Sequence, residues 1–237
     1  MLKPVLNTLF LPSWTALMVT CAGTGTVLLR DRELFRRMER VWARGILDFS
    51  DIDVSVRDDS GMREGQGYVV VSNHLSHLDI VVLFMTLPVV PGFVAKQELK
   101  KVPFLSQALD LGGHVLIDRQ DRDRARESLA EAAGQIRSGR TVLVFPEGTR
   151  GGSNTIGVFK TGAFHLAKEA GVPLVPVGIS GSRDVMPREG WLIHPGRIHV
   201  HIGEPIEAET VTTTPLRQLA KMTRRRVAEL SGLPLRT

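Results

Sequence analysis

The 237-residue chain contains one cysteine, Cys21, and it lies in an apolar stretch. A single thiol excludes an internal disulfide and a thiolate zinc cluster, and it suits a reducing, cytoplasmic setting. Aromatic residues make up only 5% of the chain and no basic run is interleaved with them, so stacking platforms for single-stranded nucleic acid are missing. No internal repeat or low-complexity linker divides the sequence, and its length fits one α/β domain with an appendage. Acidic residues are the minority: 25 Asp and Glu against 30 Lys and Arg leave a formal net charge of +5. A basic balance favours an anionic partner, and with no nucleic acid expected, membrane lipid is the better match.

Charge is absent altogether from Val5 to Leu29, 25 residues bounded by Lys3 on one side and by Arg30, Arg32, Arg36, Arg37 and Arg40 on the other. Pro12 is expected to interrupt a helix here, leaving roughly 25 Å against a hydrocarbon core of ~30 Å, so crossing the bilayer and lying in one leaflet stand level. No small-x-small site precedes the basic stretch, which argues against a cleaved signal peptide. From Arg30 to Phe49 the spacing predicts an amphipathic helix with Leu34, Met38, Val41, Trp42, Gly45, Ile46 and Phe49 on one side. Arg32, Arg36, Arg37, Arg40 and Arg44 take the other side. Such a helix either inserts at an anionic headgroup boundary or packs on the domain with its arginines in water, and the uncharged run upstream favours the membrane. Residues 1–50 are therefore assigned to an N-terminal membrane-associated helical segment and 51–237 to an α/β domain on the cytoplasmic face.

After Ile52 the pattern alternates. Strands are expected at Ile52–Val56, Tyr68–Ser72, Gly92–Ala95, His114–Ile117, Thr141–Phe145, Leu174–Ile179 and Arg197–Ile202. Helices are expected near Leu78–Leu87, Pro103–Leu111, Asp121–Ser138, Thr161–Ala170 and Leu216–Leu230. The fold class is α/β, a largely parallel sheet with helices on both faces.

Two loops at the carboxyl ends of expected strands carry chemistry. Strand Tyr68–Ser72 runs into Asn73-His74-Leu75-Ser76-His77-Leu78-Asp79. A neutral imidazole takes a proton from an alcohol near pH 7, and a carboxylate on its other nitrogen fixes the tautomer. Five residues of regular helix would set His74 and Asp79 about 140° apart, so the pair meets only if part of the segment is loop. Asn73 and Ser76 are plausible caps for such a turn. The plainer reading of these residues alone is capping plus a satisfied core histidine. Strand Thr141–Phe145 ends in Pro146-Glu147-Gly148-Thr149-Arg150. Pro146 and Gly148 hold this stretch as a loop, where Arg150 offers a bidentate fork to phosphate and Glu147 accepts from hydroxyls, or the two form an internal ion pair.

In order, Asn73-His74-x-x-x-x-Asp79, Gly113–Arg119, Phe145–Arg150 and Val172–Val177 resemble the four blocks of the 1-acyl-glycerol-3-phosphate acyltransferase family. That resemblance implies a catalytic pair at His74 and Asp79, with His74 as general base. It implies acceptor or phosphate binding by Arg119 and by Glu147, Gly148, Thr149 and Arg150. Lys96 is the candidate for a lysine that follows the first block, with Lys100 and Lys101 competing for the role. The donor implied is acyl-CoA or acyl-carrier protein as a substrate, with no cofactor and no metal. Another lysolipid acceptor would use the same chemistry. A metal-dependent hydrolase using His74, His77, Asp79, His199 and His201 is the rival reading, although no further side chains complete a recognisable ligand set. A non-catalytic membrane-binding protein of the same fold is the third.

Overall fold

The computed structural model describes residues 2–30, 32–96, 106, 109, 112, 114–117, 122–151 and 153–236. For Arg32, Glu33, Ala95, Lys96, Leu116, Ile117 and residues 122–127 it describes the backbone alone. Seven strands form one sheet: β1 (Ile52–Asp58), β2 (Tyr68–Ser72), β3 (Gly92–Lys96), β4 (Val115–Ile117), β5 (Thr141–Val144), β6 (Leu174–Ser180) and β7 (Gly196–Ile202). Their spatial order is β1-β7-β6-β2-β5-β3-β4, and every pairing is parallel except β6 with β7. The largely parallel α/β sheet expected from the sequence is present, with strand ends within two residues of their predicted positions. The helix expected at Pro103–Leu111 lies outside the described residues except for Ser106 and Leu109.

Alternation along β2 divides the core. Tyr68 and Val70 face α2 (Arg32–Phe49) and α3 (Leu78–Thr86), whereas Val69 and Val71 face α4 (Arg122–Arg137) and α5 (Gly162–Ala170). All five β2 residues are buried, as a central strand covered on both sides requires. Two short helices escaped sequence reading, α6 (Ser182–Val185) and α7 (Ala208–Thr213), because neither is long enough to show a period. The last helix, α8 (Leu216–Ser231), covers the second face and ends at Gly232, whose φ of 68° suits a left-handed cap.

The N-terminal segment departs from expectation twice. First, Pro12 does not interrupt it: α1 runs unbroken over Leu2–Leu29. Contacts on either side of Pro12 hold the helix, with Asn7 Nδ2 donating to the Ile193 carbonyl at 3.1 Å and Trp14 Nε1 to the Trp42 carbonyl at 3.0 Å. At 28 residues α1 is ~42 Å long, and by length and composition it is the one described helix apolar enough to cross a membrane. Second, the buried stripe of α2 is Phe35, Glu39, Ala43, Ile46 and Leu47, while Val41 and Phe49 stay 50% and 43% exposed. The face is displaced by about one residue, ~100° around the axis, from the stripe read in the sequence. Ala43, Ile46 and Leu47 of that face pack into the core with α3 and the sheet, and the outer flank of α1 stays exposed at Leu2, Leu6, Leu9, Leu17, Val27, Leu28 and Leu29.

Candidate active site

The carboxyl ends of β2 and β5 are neighbours, so their loops meet. Asn73 anchors the first loop by pairing with the main chain of Ile179 on β6: its Nδ2 donates to the carbonyl and its Oδ1 accepts the N–H, both at 2.9 Å. It therefore braces the sheet and does not cap a helix. Helix α3 begins only at Leu78, so residues 73–77 are loop and the 140° problem disappears. Asp79 sits in the first turn of α3 and its Oδ2 accepts from three groups: His74 Nδ1–H at 2.8 Å, Leu75 N–H at 2.7 Å and Ser76 N–H at 2.9 Å. The carboxyl group is wholly buried, and a helix N-terminus favours its negative charge.

With Nδ1–H committed to Asp79, the neutral ring of His74 keeps its basic lone pair on Nε2. That nitrogen has no hydrogen-bond partner among the described residues, and the side chain is 15% exposed. Phe145 stacks on the imidazole with centroids 4.1 Å apart and planes 17° from parallel, which fixes its orientation. The geometry is that of a general base held from behind by a carboxylate and open in front.

Glu147 bridges the two loops. Its Oε1 accepts the His74 N–H at 3.0 Å and its Oε2 the Gly157 N–H at 2.9 Å. A Cβ at position 157 would fall 2.7 Å from Oε2, so any side chain there would push this carboxylate oxygen aside. Burial pushes the Glu147 carboxyl above its ordinary range, and the two amide donations pull it back in part. Replacing Glu147 by glutamine puts an NH₂ against one of two N–H donors. The variant is expected to lose ~1–3 kcal/mol of stability and, because the His74 loop loosens, turnover as well, checked by a melting curve beside a rate assay.

Gly148 has a φ of 74°, a left-handed turn that carries Thr149 outward to an exposed position. Arg150 follows, and its guanidinium makes no hydrogen bond or ion pair among the described residues. Burial lowers its pKa first and the neighbouring Arg188 acts in the same direction, opposed by Asp79 and Glu189. Two arginines that the sequence did not single out hold this loop: Arg188 donates to the Arg150 carbonyl and Arg183 to the Gly151 carbonyl, each at 2.9 Å. Their only sequence signal was position, just beyond the end of a predicted strand. His77 stands at the start of α3 without a side-chain capping bond and stacks on Trp191 at 6.0 Å, and burial holds its imidazole below the ordinary value, with Arg150 adding to the effect. Lys96 ends β3, and Arg119 lies outside the described residues. The histidines of the metal reading separate: His199 pairs with Ser55 at 2.6 Å and His201 with Asp59 at 2.8 Å, on the β1–β7 pair.

Beside the His74 loop opens an apolar groove of about 430 Å³ between α1, α2, α3 and β3. Leu11, Met18, Phe35, Ile80, Phe84 and Phe93 line it, and His77 is part of its wall.

A base–carboxylate pair at the sheet's carboxyl ends, next to an apolar groove and an arginine unpaired among the described residues, has the geometry to take a proton from a hydroxyl. Residues 53–180 match the family model described as Acyltransferase, and the chain belongs to that family. It is 32% identical over 176 residues to the 1-acyl-sn-glycerol-3-phosphate acyltransferase of Saccharomyces cerevisiae, covering 73% of this chain and 58% of that protein. Against the Escherichia coli protein of the same name, identity is 32% over 167 residues, covering 68% of this chain and 67% of the relative. Among solved structures, the 1-acyl-sn-glycerophosphate (LPA) acyltransferase PlsC of Thermotoga maritima superposes with a TM-score of 0.76 at 26% identity, covering 96% of this chain and 97% of that one. The chain spans about three fifths of the length of the yeast and mouse relatives it matches, 58% and 61%.

Proposed function

We propose that this chain transfers a fatty acyl group from an acyl thioester to the free hydroxyl of 1-acyl-glycerol-3-phosphate, giving phosphatidic acid. The observation that carries the reading is the His74–Asp79 pair with Nε2 free, in a chain whose relatives bear the name of that reaction. His74 Nε2 takes the proton of the acceptor hydroxyl as its oxygen attacks the thioester carbonyl. Asp79 stabilises the imidazolium, the C–S bond breaks, and the proton passes from Nε2 to the leaving thiolate. No acyl-enzyme and no cofactor enter this sequence. General-base action supplies roughly 10²–10⁴-fold, and the rest falls to positioning of the two substrates. The donor is acyl-CoA or acyl-carrier protein.

Arg150, with Arg119 and Lys96 from neighbouring motifs, is assigned to the acceptor's phosphate, whose charge a guanidinium fork matches well. Glu147 and Gly148 shape the loop that presents it, and Thr149 stands at its exposed rim. Arg150→Ala and Arg119→Ala are each expected to raise the KM for lysophosphatidic acid by an amount worth ~1.5–3 kcal/mol, with much less change toward the thioester. Equal losses toward both substrates together with a large melting shift would mean that the arginines serve the fold instead. A panel of other lysolipids assayed in parallel decides the acceptor.

The apolar flank of α1 is assigned to a membrane surface, on the cytoplasmic face because basic residues follow the apolar run. The helix lies in one leaflet in this reading. It is tied to Ser50 and Ile193 near its start and packed on α2, so crossing would pull α2 and α3 into hydrocarbon. A cavity of about 640 Å³ lined by Arg36, Arg37, Arg40, Arg44 and Arg140 adds positive charge for anionic headgroups.

A further inference from the structure

Besides the Trp42–Thr15 hydrogen bond, in which the donor and hydroxyl satisfy each other, the wall of the apolar groove holds a polar pair that a plain hydrocarbon occupant leaves unexplained. Glu39, 8% exposed, lies in its wall, and Oε1 accepts from His114 Nε2 at 3.0 Å. His114 is fixed from its other side: Nδ1 accepts the Phe93 N–H at 3.2 Å, which makes Nε2 the protonated nitrogen of the neutral ring. Phe93 and Phe84 flank the imidazole at 4.3 and 6.0 Å. The second carboxyl oxygen, Glu39 Oε2, is buried and has no hydrogen-bond partner among the described residues. An orphaned buried oxygen is unfavourable, and a leucine at this place on α2 would avoid the loss without a polar contact. The pair sits well inside the groove. His77 marks the catalytic end of α3, and Phe84, seven residues further on, is ~10 Å along the helix axis.

We propose that Glu39 and His114 form a subsite that selects an acyl chain carrying a hydroxyl partway along its length, bound at Glu39 Oε2. This rests on the acyl-transfer reading above and names the acyl class within it. A hydroxyl both donates and accepts, so it satisfies Oε2 whether the carboxyl group is ionised or protonated. A plain chain leaves that oxygen unpaired, and a site built around a substrate hydroxyl discriminates against the analogue that lacks it.

The test uses the full chain and displacement of a fluorescent polyene fatty acid by palmitic acid and by its analogues hydroxylated at successive mid-chain positions. One hydroxy isomer is expected to bind roughly three- to tenfold more tightly than palmitic acid. Glu39→Leu is expected to invert that ranking, and Glu39→Gln, which keeps a donor and an acceptor, to retain it. Equal binding of all isomers by the unaltered chain, or an unchanged ranking in Glu39→Leu, overturns the subsite and leaves the pair as a pin between α2 and β4. Should Glu39→Leu show no melting transition, the ranking of the unaltered chain decides alone. Turnover of the matching acyl-CoA esters with lysophosphatidic acid is measured alongside. A hydroxyl preference in binding with no turnover of any ester overturns the acyltransferase reading and leaves the subsite standing.

Discussion

His74→Ala is expected to lower turnover by roughly 10²–10⁴-fold, the range of general-base catalysis, with a melting temperature close to that of the unaltered chain. The imidazole is partly exposed, and its removal takes one of three donors from Asp79, which still accepts two main-chain N–H groups. Asp79→Ala should reduce turnover comparably but also destabilise by ~1–3 kcal/mol, because the buried amides of Leu75 and Ser76 lose their acceptor. The double variant should be little slower than the worse single one, as for residues acting as one unit. Initial rates with each substrate saturating, beside thermal melts, check all three. Near-normal turnover of His74→Ala would remove His74 from the chemistry.

A chain begun at Ser50 is expected not to fold. Deleting residues 1–49 removes Ala43, Ile46 and Leu47 from the core that α2 shares with α3 and the sheet, together with the buried Phe35 of the groove wall. Losing a large buried apolar side chain costs ~2–5 kcal/mol, and several such losses exceed the ~5–15 kcal/mol by which a domain is stable. The membrane role of α1 therefore has to be tested on its outer flank. Leu6→Asp, Leu9→Asp and Leu17→Asp combined alter exposed positions only, and they should leave the melting curve nearly unchanged while cutting partition into anionic vesicles. Far-UV and near-UV circular dichroism of the truncated chain, set beside vesicle sedimentation of the triple variant, measure both. A folded, cooperative truncated chain would mean that α2 is dispensable to the core. Unchanged partition of the triple variant would place the anchor elsewhere.

Much of this molecule was legible in the linear pattern. The run Thr141–Val144 is apolar after its first residue and β-branched at three of four positions, as a strand covered on both faces requires, so β5 followed from local chemistry. The two site loops were visible because turn-forming residues and chemically capable side chains coincide beyond strand ends, and four ordered blocks resembled one family. Pro12 was misleading since a proline's effect depends on what holds the helix around it, and those contacts come from residues as distant as Ile193. The stripe on α2 was read one position off because Glu39, a charged residue outside the apolar set, is buried on His114. Arg183 and Arg188 carried no motif at all; they matter through main-chain carbonyls that only the fold brings near.

Taken alone, the sequence determined the order of the strands, the His74–Asp79 candidate pair and the basic charge balance of the chain, since each depends on residue type and short-range spacing. Tertiary structure decided that Asp79 faces Nδ1 and leaves Nε2 free, and that Glu147 spends both oxygens on amides of His74 and Gly157. It also placed α1 flat along α2. These are outcomes of hydrogen bonds and packing between residues up to 186 positions apart, and spacing along a chain holds no record of which distant group will satisfy a buried donor.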